Sequence, residues 1–248
     1  MRSNSGCQLL IIGQHEESAL AILASAMVGL AVQHDTSAKF LIIDGTPEDD
    51  PNWGYLGKVA AALPHQIDFV DRTNLAEHLG SLAALVSARQ KNETPDRSAR
   101  YVIVQGLHRY RDLRKAEDDF GFGRRGAERV VTPAENFASI LKDGPTVGVH
   151  MLLWCDVLTN LNRSVDRPLM REFGLRVLFQ MNPNDSSTLI DSPLASRLGR
   201  NRALFVTEEQ ANPEKFRPYG LPTAEWLKEV KARLEARTVA QVVQLPAC

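Results

Sequence analysis

At 248 residues the chain can bury a sizeable core, as one large domain or as a main domain with a small appendage. Its 44% apolar and 24% charged content sits at the globular average, and 29 basic against 30 acidic residues leave a net charge of −1. Bulk charge therefore argues against a nucleic-acid partner, with only a local basic strip left open. The three distant cysteines (Cys7, Cys155, Cys248) argue against a disulfide framework or a zinc site and for a reducing compartment such as the cytoplasm.

No signal peptide is visible, because the first eight residues are polar and no cleavage pattern follows. The apolar run Leu9–Ile12 reads as a buried strand, Gly13 breaks it, and residues 17–34 read as a buried helix. Residues 18–33 are short for a membrane span and interrupted by Ser25, so no membrane segment is expected. Further strands are predicted at Phe40–Ile43, Ile67–Val70, Tyr101–Val104, Val149–Trp154, Arg176–Gln180 and Ala203–Val206. From Asn74 to Gln90 an amphipathic helix carries Leu75, Leu79, Leu82 and Val86 on one face, with Asn74 and Glu77 spaced as a capping box. Pro133 opens a helix that Gly144-Pro145 ends, and Pro222 opens another with Trp226, Leu227, Val230 and Leu234 on its apolar side.

Strands separated by helices imply right-handed crossovers and a mainly parallel sheet whose ligands collect at the carboxyl ends of its strands. Those ends are Gly13–Ser18, Asp44–Asp50, Gln105–Arg114 and Asp156–Arg163. Residues 107–131 are rich in charge and glycine and poor in aliphatics, a long excursion of the kind that faces partners. Within it, Arg109, Arg111, Arg124 and Arg125 are candidate DNA or partner contacts. Their interleaving with Asp112, Glu117, Asp118, Asp119 and Glu128 equally suits a self-paired surface. The six histidines are scattered, none paired at metal-ligand spacing, and no metal site is expected.

Strand, glycine turn and helix form the context of the G-x-x-x-x-G-K-[ST] phosphate loop. In "VGVHMLLWCD" (147–156) and "LRVLFQMNPNDSSTLIDSPLASRLGRNRALFV" (175–206) the chain resembles the motor core of the FtsK/SpoIIIE (HerA-like) P-loop ATPases, relatives of the type VII secretion ATPases. The first stretch is similar to the family's sensor strand; the second, to its late strand, its D-S turn, its following helix and its final strand. The resemblance spans most of residues 8–220. It implies a three-layer α/β, RecA-like P-loop NTPase fold with a mainly parallel sheet flanked by helices. The domain division it suggests is a leader at 1–8, the ATPase-type domain at 9–220, and a C-terminal helix and tail at 221–248.

Both catalytic motifs depart from the family pattern. At the phosphate-loop position stand Gly13, Gln14, His15, Glu16, Glu17, Ser18, Ala19 and Leu20, so that Ser18 replaces the second glycine, Ala19 the lysine and Leu20 the hydroxyl residue. Glu16 and Glu17 also bring negative charge to the start of a helix, where an anion would otherwise bind. At the Walker B position Gln105 and Gly106 stand in place of Asp-Glu, and Asp112 comes several residues too late. The sensor position holds Cys155 and Asp156. Arg163, Arg167 and Arg171 follow it, where ring-forming motors present an arginine to a neighbour; pairing with Asp166 or Glu172 is their default.

The resemblance therefore implies a catalytically degenerate domain of a longer protein, acting as a structural or regulatory part of a DNA-translocating motor beside other ATPase domains. No cofactor is expected, with ATP and Mg²⁺ open if the altered loop still holds nucleotide. The alternatives are an active ATP-binding translocase with an unorthodox loop, and a domain that recognises a protein or peptide partner.

Overall fold

The computed structural model describes residues 7–115, 131–210 and 212–243, with side chains as far as Arg237. In chain order the elements are β1 (Leu9–Ile12), α1 (Glu16–Gln33), β2 (Lys39–Asp44), α2 (Tyr55–Ala60), β3 (Gln66–Val70), α3 (Leu75–Gln90) and β4 (Arg100–Gln105). After β4 come two short 3-10 turns, Leu107–Arg109 and Arg111–Leu113. The second half follows as α4 (Pro133–Asp143), β5 (Val149–Cys155), α5 (Leu158–Leu161), α6 (Arg167–Met170), β6 (Leu175–Leu178), α7 (Pro183–Ile190), β7 (Ala203–Thr207), β8 (Glu214–Phe216) and α8 (Ala224–Val243).

One eight-stranded sheet runs β3-β2-β4-β5-β1-β6-β7-β8. It is parallel from β3 to β6, while β7 and β8 add on antiparallel. Strand β1 lies between β5 and β6, with Leu9 opposite both Leu152 and Leu175. Both its faces are covered, which is why four consecutive aliphatics suit it and an alternating pattern would not.

Alternate β1 residues enter two cores. Leu10 and Ile12 join Val102, Val104, Met151 and Leu153 beneath α3 and α4, which contribute Leu75, Leu79, Val86, Phe137 and Ile140. Leu9 and Ile11 join Phe40, Ile42, Ile103 and Trp154 beneath α1, α2 and α8, which contribute Leu20, Met27, Leu56 and Leu227. Helix, sheet and helix make the three layers that the resemblance implies. By length and composition α1 is long and apolar enough to cross a membrane, but half of that window is buried inside this fold. It is a core helix, apolar on most of its circumference.

Boundaries differ from the sequence expectations at three places. The capping box predicted at Asn74 and Glu77 does not form. Asn74 caps with no side-chain bond, and Asp71 Oδ1 instead accepts from the backbone N–H groups of Thr73 and Asn74. A capping box closes at Thr132, whose hydroxyl accepts from Glu135 N at 3.2 Å while Glu135 Oε2 accepts from Thr132 N at 2.9 Å. Strand β6 stops at Leu178, although Phe179 N–H still donates to Ile12 O while its side chain closes on the β1 turn. Helix α8 begins at Ala224, where Thr223 Oγ1 accepts from Trp226 N, so Pro222 lies just outside it.

The face beneath α1 carries a buried polar cluster. His150, 2% exposed, stacks on Tyr101, whose hydroxyl lies 2.6 Å from His34 Nε2. Burial lowers the His150 pKa from 6.5 to about 4, and burial lowers those of His34 and His65 in the same sense. Between these limits the unfolded chain binds the proton and the folded chain does not, so the His150 contribution to stability falls as pH drops from about 7 to 4 and is constant below that. Urea unfolding should show a loss on the order of 3 kcal/mol from His150 over this window. His150→Gln should flatten the profile; an unchanged slope in that variant would remove His150 as its source.

Candidate nucleotide site

The carboxyl ends of β1, β4, β5 and β6 meet at the turn after Ile12. Gly13 turns the chain with φ +129°, a conformation that L side chains rarely adopt. A Cβ there would lie 2.6 Å from Phe179 Cβ. Three bonds fix the turn: Gly13 N–H donates to Cys155 O at 3.2 Å, Trp154 Nε1 donates to Gly13 O at 3.0 Å, and Phe179 N donates to Ile12 O at 2.9 Å. His15 packs on the Phe179 ring with centroids 5.3 Å apart.

Helix α1 then starts at Glu16, with His15 as an N-cap that makes no side-chain bond. The turn is thus Gly13, Gln14 and His15, and Ala19 N–H is already spent on His15 O at 2.9 Å. A loop of the G-x-x-x-x-G-K-[ST] form needs Glu16–Ser18 outside the helix. Ala19 and Leu20, at the lysine and hydroxyl positions, are buried at 0% and 1% exposure in the core beneath α1. Glu17 is exposed and Ser18 half-buried.

The charge at this helix end is supplied from within the chain. Gly106, with φ +78°, reverses the chain after β4 and starts the 107–109 turn. That turn carries Arg109 back over the α1 terminus. Its guanidinium donates to Glu16 Oε1 at 2.6 Å and Oε2 at 2.7 Å, and to Gly45 O at 3.1 Å, and it lies 5.6 Å from the Trp154 ring centroid. Burial pulls the Arg109 pKa down, but the hydrogen bonds and charge of Glu16 and the charges of Asp50 and Asp156 more than reverse this. A carboxylate at the helix N-terminus with a cation clamped on it satisfies the dipole internally.

At the Walker B position Gln105 is fully buried, and its side-chain nitrogen and oxygen have no hydrogen-bond partner among the described residues. Gly45 packs so close that a Cβ there would lie 2.8 Å from Gln105 O. Cys155 is buried, and burial together with the Asp156 charge lifts its thiol pKa to about 12. Asp156 is held by Val157 N at 2.7 Å and by Asn160 Nδ2 at 2.9 and 3.0 Å. A cleft of about 170 Å³ opens between these strand ends, lined among others by Gly13, Gln14, Asp156, Gln180, Asn182 and Asp185. Its charged lining is Asp156 and Asp185, with no lysine or arginine among the described residues that form it.

The arginine candidates separate. Arg109 is turned inward onto Glu16 at the α1 terminus. Arg111 is exposed, and Arg124 and Arg125 lie outside the described residues. Arg163, Arg167 and Arg171 are exposed and form none of the described ion pairs; Asp166, their expected partner, instead caps α6 by accepting from Leu169 N at 2.9 Å. The sequence reading missed Phe179, Trp154 and Asp185 at this site, and also His108, whose Nδ1 lies 3.5 Å from Asp156 Oδ1. Only the order of the strands brings them together.

No family model matches this sequence, and no curated protein matches it. Solved structures do resemble it. The pCW3 conjugation coupling protein TcpA, a monomer form with ATPγS, aligns over 94% of this chain and 65% of its own at TM-score 0.64 and 12% identity. Thermomonospora curvata EccC (ATPases 2 and 3), in complex with a signal sequence peptide, aligns over 99% of this chain and 44% of its own at 0.62 and 17%. The genome packaging NTPase B204 of Sulfolobus turreted icosahedral virus 2, in complex with ATPγS, aligns over 88% and 100% at 0.54 and 12%. The chain thus spans less than two thirds of TcpA and of EccC.

The turn itself gives a direct test of the packing. Gly13→Ala should cost roughly 2–4 kcal/mol, through the unfavourable φ and the contact with Phe179. The measurement is the urea midpoint at unchanged m-value. In a Phe179→Ala background the added cost should shrink; full additivity would show that the contact does not set it. The mostly parallel sheet, its flanking helix layers and these neighbours together give the chain the fold of the FtsK/SpoIIIE-type motor ATPases.

Proposed function

We propose that this chain is a degenerate ATPase domain of the FtsK/SpoIIIE type, which hydrolyses no ATP and serves as a structural or regulatory part of a multi-domain, cytoplasmic, DNA-translocating motor. One observation carries the reading. Helix α1 begins at Glu16, three residues before the lysine position, and the Glu16 carboxylate paired with Arg109 stands at the helix end that a phosphate would need. The cleft beside it adds two carboxylates that repel a triphosphate. Mg²⁺ has no carboxylate at Gln105 or Gly106 to hold it, and Ala19 and Leu20 offer neither cation nor hydroxyl.

A second reading has its own support. EccC, which shares the fold, was solved with a signal sequence peptide bound. A domain whose nucleotide site is filled by its own side chains is free to work as a peptide-recognition module, and that occupant replaces DNA if Arg111, Arg124 and Arg125 contact none.

Titration calorimetry of the whole chain with Mg²⁺–ATP and with Mg²⁺–ADP should give no saturable heat in the micromolar range. Micromolar binding of either would sink the claim that the loop is dead and favour an ATP-binding domain with an unorthodox loop. Salt-dependent DNA binding that weakens in the Arg111→Gln/Arg124→Gln/Arg125→Gln variant would support a place on the DNA path. Binding that is absent, or unmoved by these changes, turns the choice to a peptide partner.

A further inference from the structure

We propose that His108, Cys155 and Asp156 form a binding site for a zinc-like transition-metal ion, built from the turn after β4 and the carboxyl end of β5, whose nearest members are 47 positions apart in the sequence. The ligand atoms of the three side chains lie within 4.8 Å of one another. Two of the three edges are close to the span that one ion needs: His108 Nδ1 to Asp156 Oδ1 is 3.5 Å, and Cys155 Sγ to Asp156 Oδ1 is 3.6 Å. Bond lengths of about 2.0–2.1 Å to nitrogen, 2.0–2.2 Å to oxygen and 2.3 Å to sulfur give tetrahedral edges of roughly 3.3–3.6 Å.

An independent observation points the same way. His108 Nδ1 is buried and has no hydrogen-bond partner among the described residues, although it faces the carboxylate. A buried imidazole nitrogen without a well-formed hydrogen bond is costly, and in the neutral tautomer with its lone pair at Nδ1 a bound cation satisfies it. The supports of a metal centre are also present. Asn160 Nδ2 and Val157 N–H orient the Asp156 carboxylate, and the Trp154 indole meets the His108 ring edge-on at 5.3 Å. Asp156 lines the cleft beside Gly13, which gives an ion a path in and a solvent ligand for its fourth position.

The donor set decides the class of ion. Imidazole nitrogen and thiolate sulfur favour Zn²⁺, Co²⁺ or a similar ion, whereas Mg²⁺ prefers six oxygens. The site therefore differs in chemistry from a Mg²⁺–nucleotide centre, and it stands whether or not the proposed function above holds.

The probe is Co²⁺ alone, titrated into the whole chain after chelator treatment. A Cys7→Ser/Cys248→Ser background leaves Cys155 as the one thiol. One equivalent should raise a thiolate-to-cobalt charge-transfer absorption that Zn²⁺ displaces. Cys155→Ser should abolish the absorption, and His108→Ala should weaken cobalt binding at least tenfold while the far-ultraviolet circular dichroism stays that of the parent. If Cys155→Ser fails to fold, His108→Ala and Asp156→Asn carry the same test. No saturable absorption in the background chain, or binding of parental strength in His108→Ala, overturns the site.

Discussion

The turn at Gly13 is the constraint on which the rest of the site depends. Strand β1 is hydrogen-bonded on both sides, so the chain can leave the sheet only between the ends of β5 and β6. Trp154, from β5, holds the Gly13 carbonyl, and Phe179, just beyond β6, fills the space that any side chain at this position would take. With the backbone pinned from both neighbours, three residues suffice to reach α1.

The electrostatics follow from that geometry. A helix that starts this early presents unpaired N–H groups close to the sheet edge. The Glu16 carboxylate stands there, and Gly106 turns the post-β4 segment so that Arg109 closes over it. Glu16, Arg109 and the Gly45 carbonyl form a charge-assisted network linking the ends of β1, β2 and β4. The same convergence brings His108 beside Asp156, the geometry from which a metal-binding role is inferred.

Much of the fold was legible in the residues. Continuous aliphatic runs such as Leu9–Ile12 and Val149–Trp154 are distinctive because a strand covered on both faces has no polar side to show. Helix ends were less so. Asn74 and Glu77 have capping-box spacing, yet Asp71 is better placed to take the free N–H groups, and Thr132 caps α4 instead. The short strand β8 and the one-turn helices α5 and α6 carry too few residues for a period to register.

The sequence by itself determined the alternation of strands and helices, the burial of α1, and the replacement of lysine, hydroxyl and acidic residues at the motif positions. These are local properties, set by side-chain chemistry and spacing along one segment. Only the tertiary structure decided that Arg109 belongs to Glu16, that Phe179 closes on Gly13, and that His108 meets Cys155 and Asp156. Each of those pairs joins segments far apart in the chain, and strand order, which no single segment encodes, sets which carboxyl ends become neighbours.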